Sequence, residues 1–225
     1  NGAERLSMDD TGEQTLRERA YESFTHHLLS RDVRPGQFIS QRRLVELTGL
    51  PLGAIREAIP RLEAEGLIKT VPQRGLQVAH IDINLIREAF QFRIFLEKEA
   101  VALFTRSASD AAIAKLLKQH RDIAEAAENG GESPELEQHA QQVDWGMHDA
   151  FIDALGNSII SNAYRVNSIK MRLINQERFR IAGHVKSVMK EHLAILEAIE
   201  RRSVEDAVER LTAHIRNARD RALAV

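Results

Sequence analysis

The chain has 225 residues, enough for one or two domains with a substantial buried core. Its 43% hydrophobic and 28% charged residues are ordinary for a globular protein, and no apolar run approaches the roughly 18–20 residues of a membrane span. The absence of cysteine excludes disulfides and thiolate chemistry, and a net charge of −2 excludes a non-specific polycation. An aromatic share of 5%, beside abundant Leu, Ala, Glu and Arg, leans the chain towards helices. The first residues lack the apolar stretch of a signal peptide, so 1–14 read as a disordered or vector-derived tail, and a cytoplasmic location is expected.

Thr15 and Glu18 have the spacing of a capping box, in which side chains satisfy the free N–H groups of a helix start. Leu16, Ala20, Phe24 and Leu28 then recur at helical spacing, until Pro35 and Gly36 turn the chain. Ser40 can cap a second short helix that carries Leu44 and Leu47 inward and closes at Gly49. A third helix is expected from about Pro51, with Ile55, Ala58, Ile59 and Leu62 inward and Gly66 as its stop. Pro60 falls inside it and predicts a local kink, because proline removes a backbone hydrogen bond. The runs LIKTV and GLQVA follow as two short strands around a turn at residues 72–75. Helix, helix-turn-helix, then hairpin describes a winged helix-turn-helix over residues 15–79. Residues 31–80 carry eight basic and five acidic side chains, a mild bias towards nucleic acid. Arg42, Arg56 and Arg74 fall at the start of helix two, on helix three and at the wing tip. Arginine there can pair with phosphate or with guanine edges, or can simply be a solvated surface residue.

After a short linker at about 79–82 the pattern is helical throughout: about 82–105, 109–129, 134–155, 157–181, 185–201 and 203–224. Ser109, Gly130 and Gly131, Ser133 and Pro134, and Gly156 punctuate these stretches. The fold class is therefore mainly α, an all-helical bundle over residues 80–225 behind the winged unit. Asp144 and His148 flank the only tryptophan, Trp145, and share one helix face at i, i+4. His192 and His214 stand near the apolar stripes of two later helices. Such histidines are hydrogen-bonded core residues or metal ligands, and spacing alone leaves both open. His26, His27, His80, His120, His139 and His184 read as surface or structural, and Trp145 as core or interface.

The segment RPGQFISQRRLVELTGLPLGAIREAIPRLEAEGLIKTVPQRGLQV resembles the DNA-binding domain of the GntR family of bacterial transcription regulators. The matching marks include Pro35, Gly36, Gly49, Arg56, Glu57, Gly66, Arg74 and Gly75. The resemblance implies DNA contacts at Arg42, Arg56, Arg74 and Gly75. A customary arginine of the family is replaced by Leu52, which suits a thymine methyl instead. From about residue 84 to 220 the chain is similar to the FCD domain, the helical ligand-binding module of FadR-type members. That likeness rests on Asp144 and His148, Leu155 to Asn157, Glu191 and His192, Ala213 to Ile215, and the opening helix with Arg93 and Glu97. It implies a metal site of Asp144, His148, His192 and His214 for a divalent transition ion, Zn²⁺ or Ni²⁺ foremost. Arg93 becomes a candidate for holding a small carboxylate effector, or a salt-bridge partner of Glu97.

The expectation is a ligand-responsive transcription regulator, a repressor in most of the family. It would bind a pseudo-palindromic operator on double-stranded DNA as a homodimer, with affinity set by a small organic acid at the metal-containing pocket. Two alternatives stand beside it: a metal-dependent hydrolase using the Asp/His site, and a DNA-binding protein whose metal is purely structural.

Overall fold

The computed structural model describes residues 14–177 and 181–224, which form two compact units dividing between Ala79 and His80. The expected tail lies outside the described residues except for Gln14, as do residues 178–180 of the 157–181 stretch.

In the N-terminal unit, α1 (Leu16–Leu29) starts with the capping box in place. Thr15 Oγ1 accepts from the Glu18 N–H, and a Glu18 carboxylate oxygen accepts from the Thr15 N–H. Its inner face is Ala20, Tyr21, Phe24 and Leu28, packed against α3 (Leu52–Ala64) and α2 (Gln41–Thr48). Ser40 caps α2 through the Arg43 N–H, and Gly49 ends it with φ +66°, a left-handed turn that costs glycine little. Helix α3 buries Ala54, Ile55, Ala58, Ile59 and Leu62. It runs through Pro60 without interruption: Pro60 and Arg56 are both exposed, so the carbonyl deprived of a donor lies on the wet side of the helix.

The wing is larger than the expected hairpin. Strands β2 (Ile68–Val71) and β3 (Gly75–Val78) pair antiparallel, and β1 (Phe38–Ile39) adds to the other side of β3, in the order β1-β3-β2. Two residues are too few to carry a period-2 signal, so β1 was invisible in the sequence. Leu76 and Val78 point into the core while Gly75 is exposed.

The C-terminal unit consists, among the described residues, of α4 (Ile83–Ser107), α5 (Asp110–Gly130), α6 (Pro134–Asp153), α7 (Ser158–Glu177), α8 (Val185–Glu200) and α9 (Val204–Leu223). Asp82, Ser109 and Ser133 cap α4, α5 and α6 by accepting from backbone N–H groups three residues on. Helix α4 packs against α6, α7 and α9, while α5 lies against α6 and α8. An apolar cluster including Ile123, Ala127, Val143, Val188 and Met189 joins α5, α6 and α8. No helix of the described residues is long and apolar enough to cross a membrane.

Candidate functional site

Four side chains from three helices converge in the C-terminal unit. Asp144 and His148 come from α6, His192 from α8 and His214 from α9, and one donor atom of each lies within 4.8 Å of all the others. His192 Nε2 stands 3.1 Å from Asp144 Oδ1 and 3.2 Å from His214 Nε2, with His148 Nε2 3.9 Å from the same carboxylate oxygen. All three histidines are buried, and Asp144 keeps 13% of its side chain exposed. The centre thus opens on the aspartate side.

Carboxylates hold two of the rings from behind. His148 Nδ1 lies 2.6 Å from Glu97 Oε2, and His214 Nδ1 lies 2.6 Å from Glu191 Oε2. A carboxylate that accepts at Nδ1 leaves the Nε2 lone pair facing the centre, the tautomer a metal ligand needs. His148 Nε2 is buried and has no hydrogen-bond partner among the described residues. Three imidazoles and one carboxylate, with such an orphaned lone pair among them, fit a first-row divalent ion, which takes these donors at about 2.0–2.2 Å.

Glu97 is the hub of this support and is fully buried. Besides His148 it receives the Arg93 Nε–H at 2.5 Å and the Tyr164 hydroxyl at 2.6 Å. Burial works to raise its carboxyl pKa, but the Arg93 charge and the His148 contact outweigh burial and hold it at about 2. Asp144 is likewise held well below the usual carboxylate range: burial opposes ionisation, and the close approach of His192 and the Arg93 charge outweigh it. Burial pushes His214 down to about 3 and lowers His192 as well, so both imidazoles are neutral and free to donate a lone pair at neutral pH.

A pocket opens beside the centre, lined by Arg93, Asp144, Trp145, His148, Tyr164 and Arg172 among others. It reaches two of the four donors. Arg93 therefore combines both readings open in the sequence, since it pairs with Glu97 and also lines the pocket. Arg172, which sequence reasoning missed, has its guanidinium 4.2 Å over the Trp145 ring and a buried Nε with no hydrogen-bond partner among the described residues. Trp145 is only half-buried and forms a pocket wall. Glu191 was legible as the neighbour of His192, but its bond to His214 was not.

In the N-terminal unit the expected DNA-facing residues lie on the surface. Leu52 is 39% exposed at the first turn of α3, and Arg56 stands one turn on. Arg56 Nε donates to Gln41 Oε1 at 3.1 Å, which sets it beside the start of α2. The Arg42 side chain is 90% exposed and 3.6 Å from Glu46. The Arg74 guanidinium lies 4.0 Å over the Phe38 ring, so β1 supports the wing tip. Gly75 has φ +91°, and a Cβ there would meet the Ile39 carbonyl oxygen at 3.2 Å. Its identity is thus demanded by the sheet, whatever else it touches.

Residues 16–78 match the bacterial regulatory proteins of the gntR family, and residues 88–217 match the FCD domain. The chain belongs to the GntR family and carries a C-terminal FCD domain. A relative, the HTH-type transcriptional regulator YdhC of Bacillus subtilis, is 27% identical over 80% of this chain and 79% of its own length. Among solved structures, E. coli McbR/YncC superposes with a TM-score of 0.70 at 18% identity, covering 92% of this chain and 96% of that one. The metal-free FCD domain of TM0439 gives 0.54 at 22% identity, over 65% of this chain and 96% of that domain. These two show the fold. The family is one of transcription regulators, not enzymes, and the hydrolase alternative finds no support in it.

Proposed function

We propose that this GntR-family regulator is a cytoplasmic repressor that binds a pseudo-palindromic operator as a homodimer and is tuned by a small carboxylate at a metal centre. The observation that carries the effector half is the convergence of Asp144, His148, His192 and His214 beside a pocket with two arginines. The donor set suits Zn²⁺ or Ni²⁺. Bound there, the ion would supply a Lewis-acidic position for an anionic oxygen. The chain's own residues would do the rest. Glu97 and Glu191 orient two of the rings, the Trp145 wall shapes the pocket, and Arg93 and Arg172 favour an anion within it.

On the DNA side, Arg56 and Leu52 would face base edges from α3, while Arg42, Arg74 and Gly75 would meet the backbone or the minor groove. An effector changes operator affinity only by its differential affinity for the DNA-competent and incompetent states, and operator DNA changes effector affinity by the same factor. Burial of all three histidines also suits a purely structural ion tying α6, α8 and α9 together.

One experiment separates these readings. Metal content is measured by elemental mass spectrometry on untagged protein and on His192→Ala, and operator binding is then titrated with small carboxylates. About one transition-metal ion per chain, lost in the variant, together with a carboxylate that releases DNA, is the expected result. Full occupancy in His192→Ala would remove the ligand set. Metal present, but no carboxylate changing DNA affinity, would leave the structural ion.

A further inference from the structure

His120 stands behind the Asp144, His148, His192 and His214 cluster. It lies on α5, 0% exposed, with Nδ1 2.7 Å from the Leu116 carbonyl oxygen one turn earlier. A carbonyl can only accept, so the His120 proton is on Nδ1 and its Nε2 presents a lone pair. That Nε2 is buried and has no hydrogen-bond partner among the described residues. The ring stands edge-on to His192, centroids 5.2 Å apart and planes at 64°.

His192 carries the complementary gap. Its Nε2 faces Asp144 and His214, while its Nδ1, on the other side of the ring, is buried with no hydrogen-bond partner among the described residues. The Nδ1 atoms of His148 and His214 each meet a carboxylate. Of the three histidines, His192 is the one whose outer nitrogen has no such support among the described residues.

We propose that His120 is the positioning residue for His192: its Nε2 accepts the Nδ1–H of His192 and fixes the tautomer that directs His192 Nε2 at an ion. The inference rests on the metal reading above. A neutral imidazole that gives Nε2 to an ion must carry its proton on Nδ1, and a buried N–H without an acceptor is costly. His120 Nε2 is an acceptor without a donor, His192 Nδ1–H is then a donor without an acceptor, and the two rings are already in contact. One hydrogen bond between the two rings would satisfy both atoms at once. The choice of an imidazole also fits the electrostatics. Glu97, Glu191 and Asp144 already bring three carboxylates to this region, and a fourth behind His192 would sit between the packed helices α5 and α8. A neutral acceptor supplies the hydrogen bond there without another buried charge.

The test uses the full chain and Zn²⁺ as the probe. Zn²⁺ affinity is measured by chelator competition for the unsubstituted protein, His120→Leu and His120→Gln. Leucine fills much of the space without an acceptor, whereas the glutamine side-chain oxygen can accept. His120→Leu should bind Zn²⁺ roughly 10–100-fold more weakly, with His120→Gln recovering most of the loss. A residue that merely packs would make the two variants alike, or leave affinity unchanged, and either result overturns the proposal. Nitrogen-15 histidine spectra of the Zn²⁺-loaded unsubstituted chain give a readout that needs no variant to fold. A slowly exchanging His192 Nδ1–H, coupled across the hydrogen bond to His120 Nε2, is expected. A rapidly exchanging, uncoupled proton refutes the link. If the unsubstituted chain takes up no Zn²⁺, the metal reading falls and this inference with it; tight Zn²⁺ binding that ignores position 120 sinks this inference alone.

Discussion

Arg42 on α2 keeps 90% of its side chain exposed and leans on one glutamate, whereas Glu97 on α4 is fully enclosed and holds three partners. The contrast runs through both units. Among the described residues of the N-terminal unit the buried side chains are apolar or aromatic apart from Thr25, while the C-terminal unit buries Arg93, Glu97, His120, His148, His192 and His214. A surface that reads DNA must leave its charges wet until the duplex arrives, so its side chains contribute little to folding. A metal centre must hold its donors ready in a dry place, so every charge there needs a partner before the ion arrives. Substitutions should therefore separate binding from stability in the first unit and entangle them in the second.

The sharpest break is Glu97→Ala. It strands the Arg93 cation, the His148 Nδ1–H and the Tyr164 hydroxyl in a buried site. Removing one partner of such a network typically costs about 3–5 kcal/mol. Trp145, the only tryptophan, lies in this unit and reports its unfolding, so urea titration followed by fluorescence measures the loss directly. A cost under about 1 kcal/mol would mean the network is far looser than its distances imply.

Acid should widen the difference between the units. Burial depresses His120 to about 4 and His214 to about 3, so between the ordinary histidine range and those values the unfolded chain binds protons that the folded chain refuses. Glu97, held at about 2 although burial opposes it, adds a second loss below the ordinary carboxylate range. Both act in one direction: stability is complete near pH 7 and falls as pH is lowered from about 6.5 towards 3. In chelator-treated protein the Trp145 transition should move to lower urea across that window. The wing, followed by hydrogen exchange, should change less. Parallel loss in both units would remove the electrostatic distinction.

Arg56→Ala tests the wet side. Operator binding should weaken by about 1–3 kcal/mol if the guanidinium makes a bidentate base contact. The Trp145 unfolding midpoint should not move. Fluorescence anisotropy at one fixed salt concentration measures the first quantity, and an unchanged isotherm would take Arg56 off the reading surface.

What the sequence disclosed follows the range of the forces involved. The six C-terminal helices were legible because apolar period and local caps such as Ser109 and Ser133 act within a few residues. The pairing of Asp144 with His148 was legible for the same reason. Nothing local brings α8 and α9 to α6, so spacing left His192 and His214 undecided, and only the family resemblance singled out the four together. Glu97 was visible as a neighbour of Arg93 at i, i+4, yet its bond to His148 spans 51 residues of chain and has no local signature. His120 reads as an ordinary helical histidine until α5 is laid against α8. Strand β1 stayed hidden because two residues pair only when β3 is already beside them.

Gly75 sharpens the comparison where it is least clean, because resemblance assigns it to DNA and geometry assigns it to the fold. Its φ of +91° and the 3.2 Å approach to the Ile39 carbonyl oxygen penalise any side chain. A non-glycine residue in a left-handed conformation costs about 1–2 kcal/mol. Gly75→Ala should therefore loosen the β1–β3 pairing, and amide exchange of the wing should accelerate roughly 5–30-fold at that cost. Operator affinity should fall as well, and the question is why. If Gly75 only shapes the wing, an excluded osmolyte that favours the folded sheet should restore protection and affinity together. If the backbone at Gly75 approaches DNA so closely that a methyl group cannot fit, protection returns and affinity does not. The second outcome would place a stability residue and a recognition residue at one position, where the dry logic of the core meets the wet logic of a DNA-reading surface.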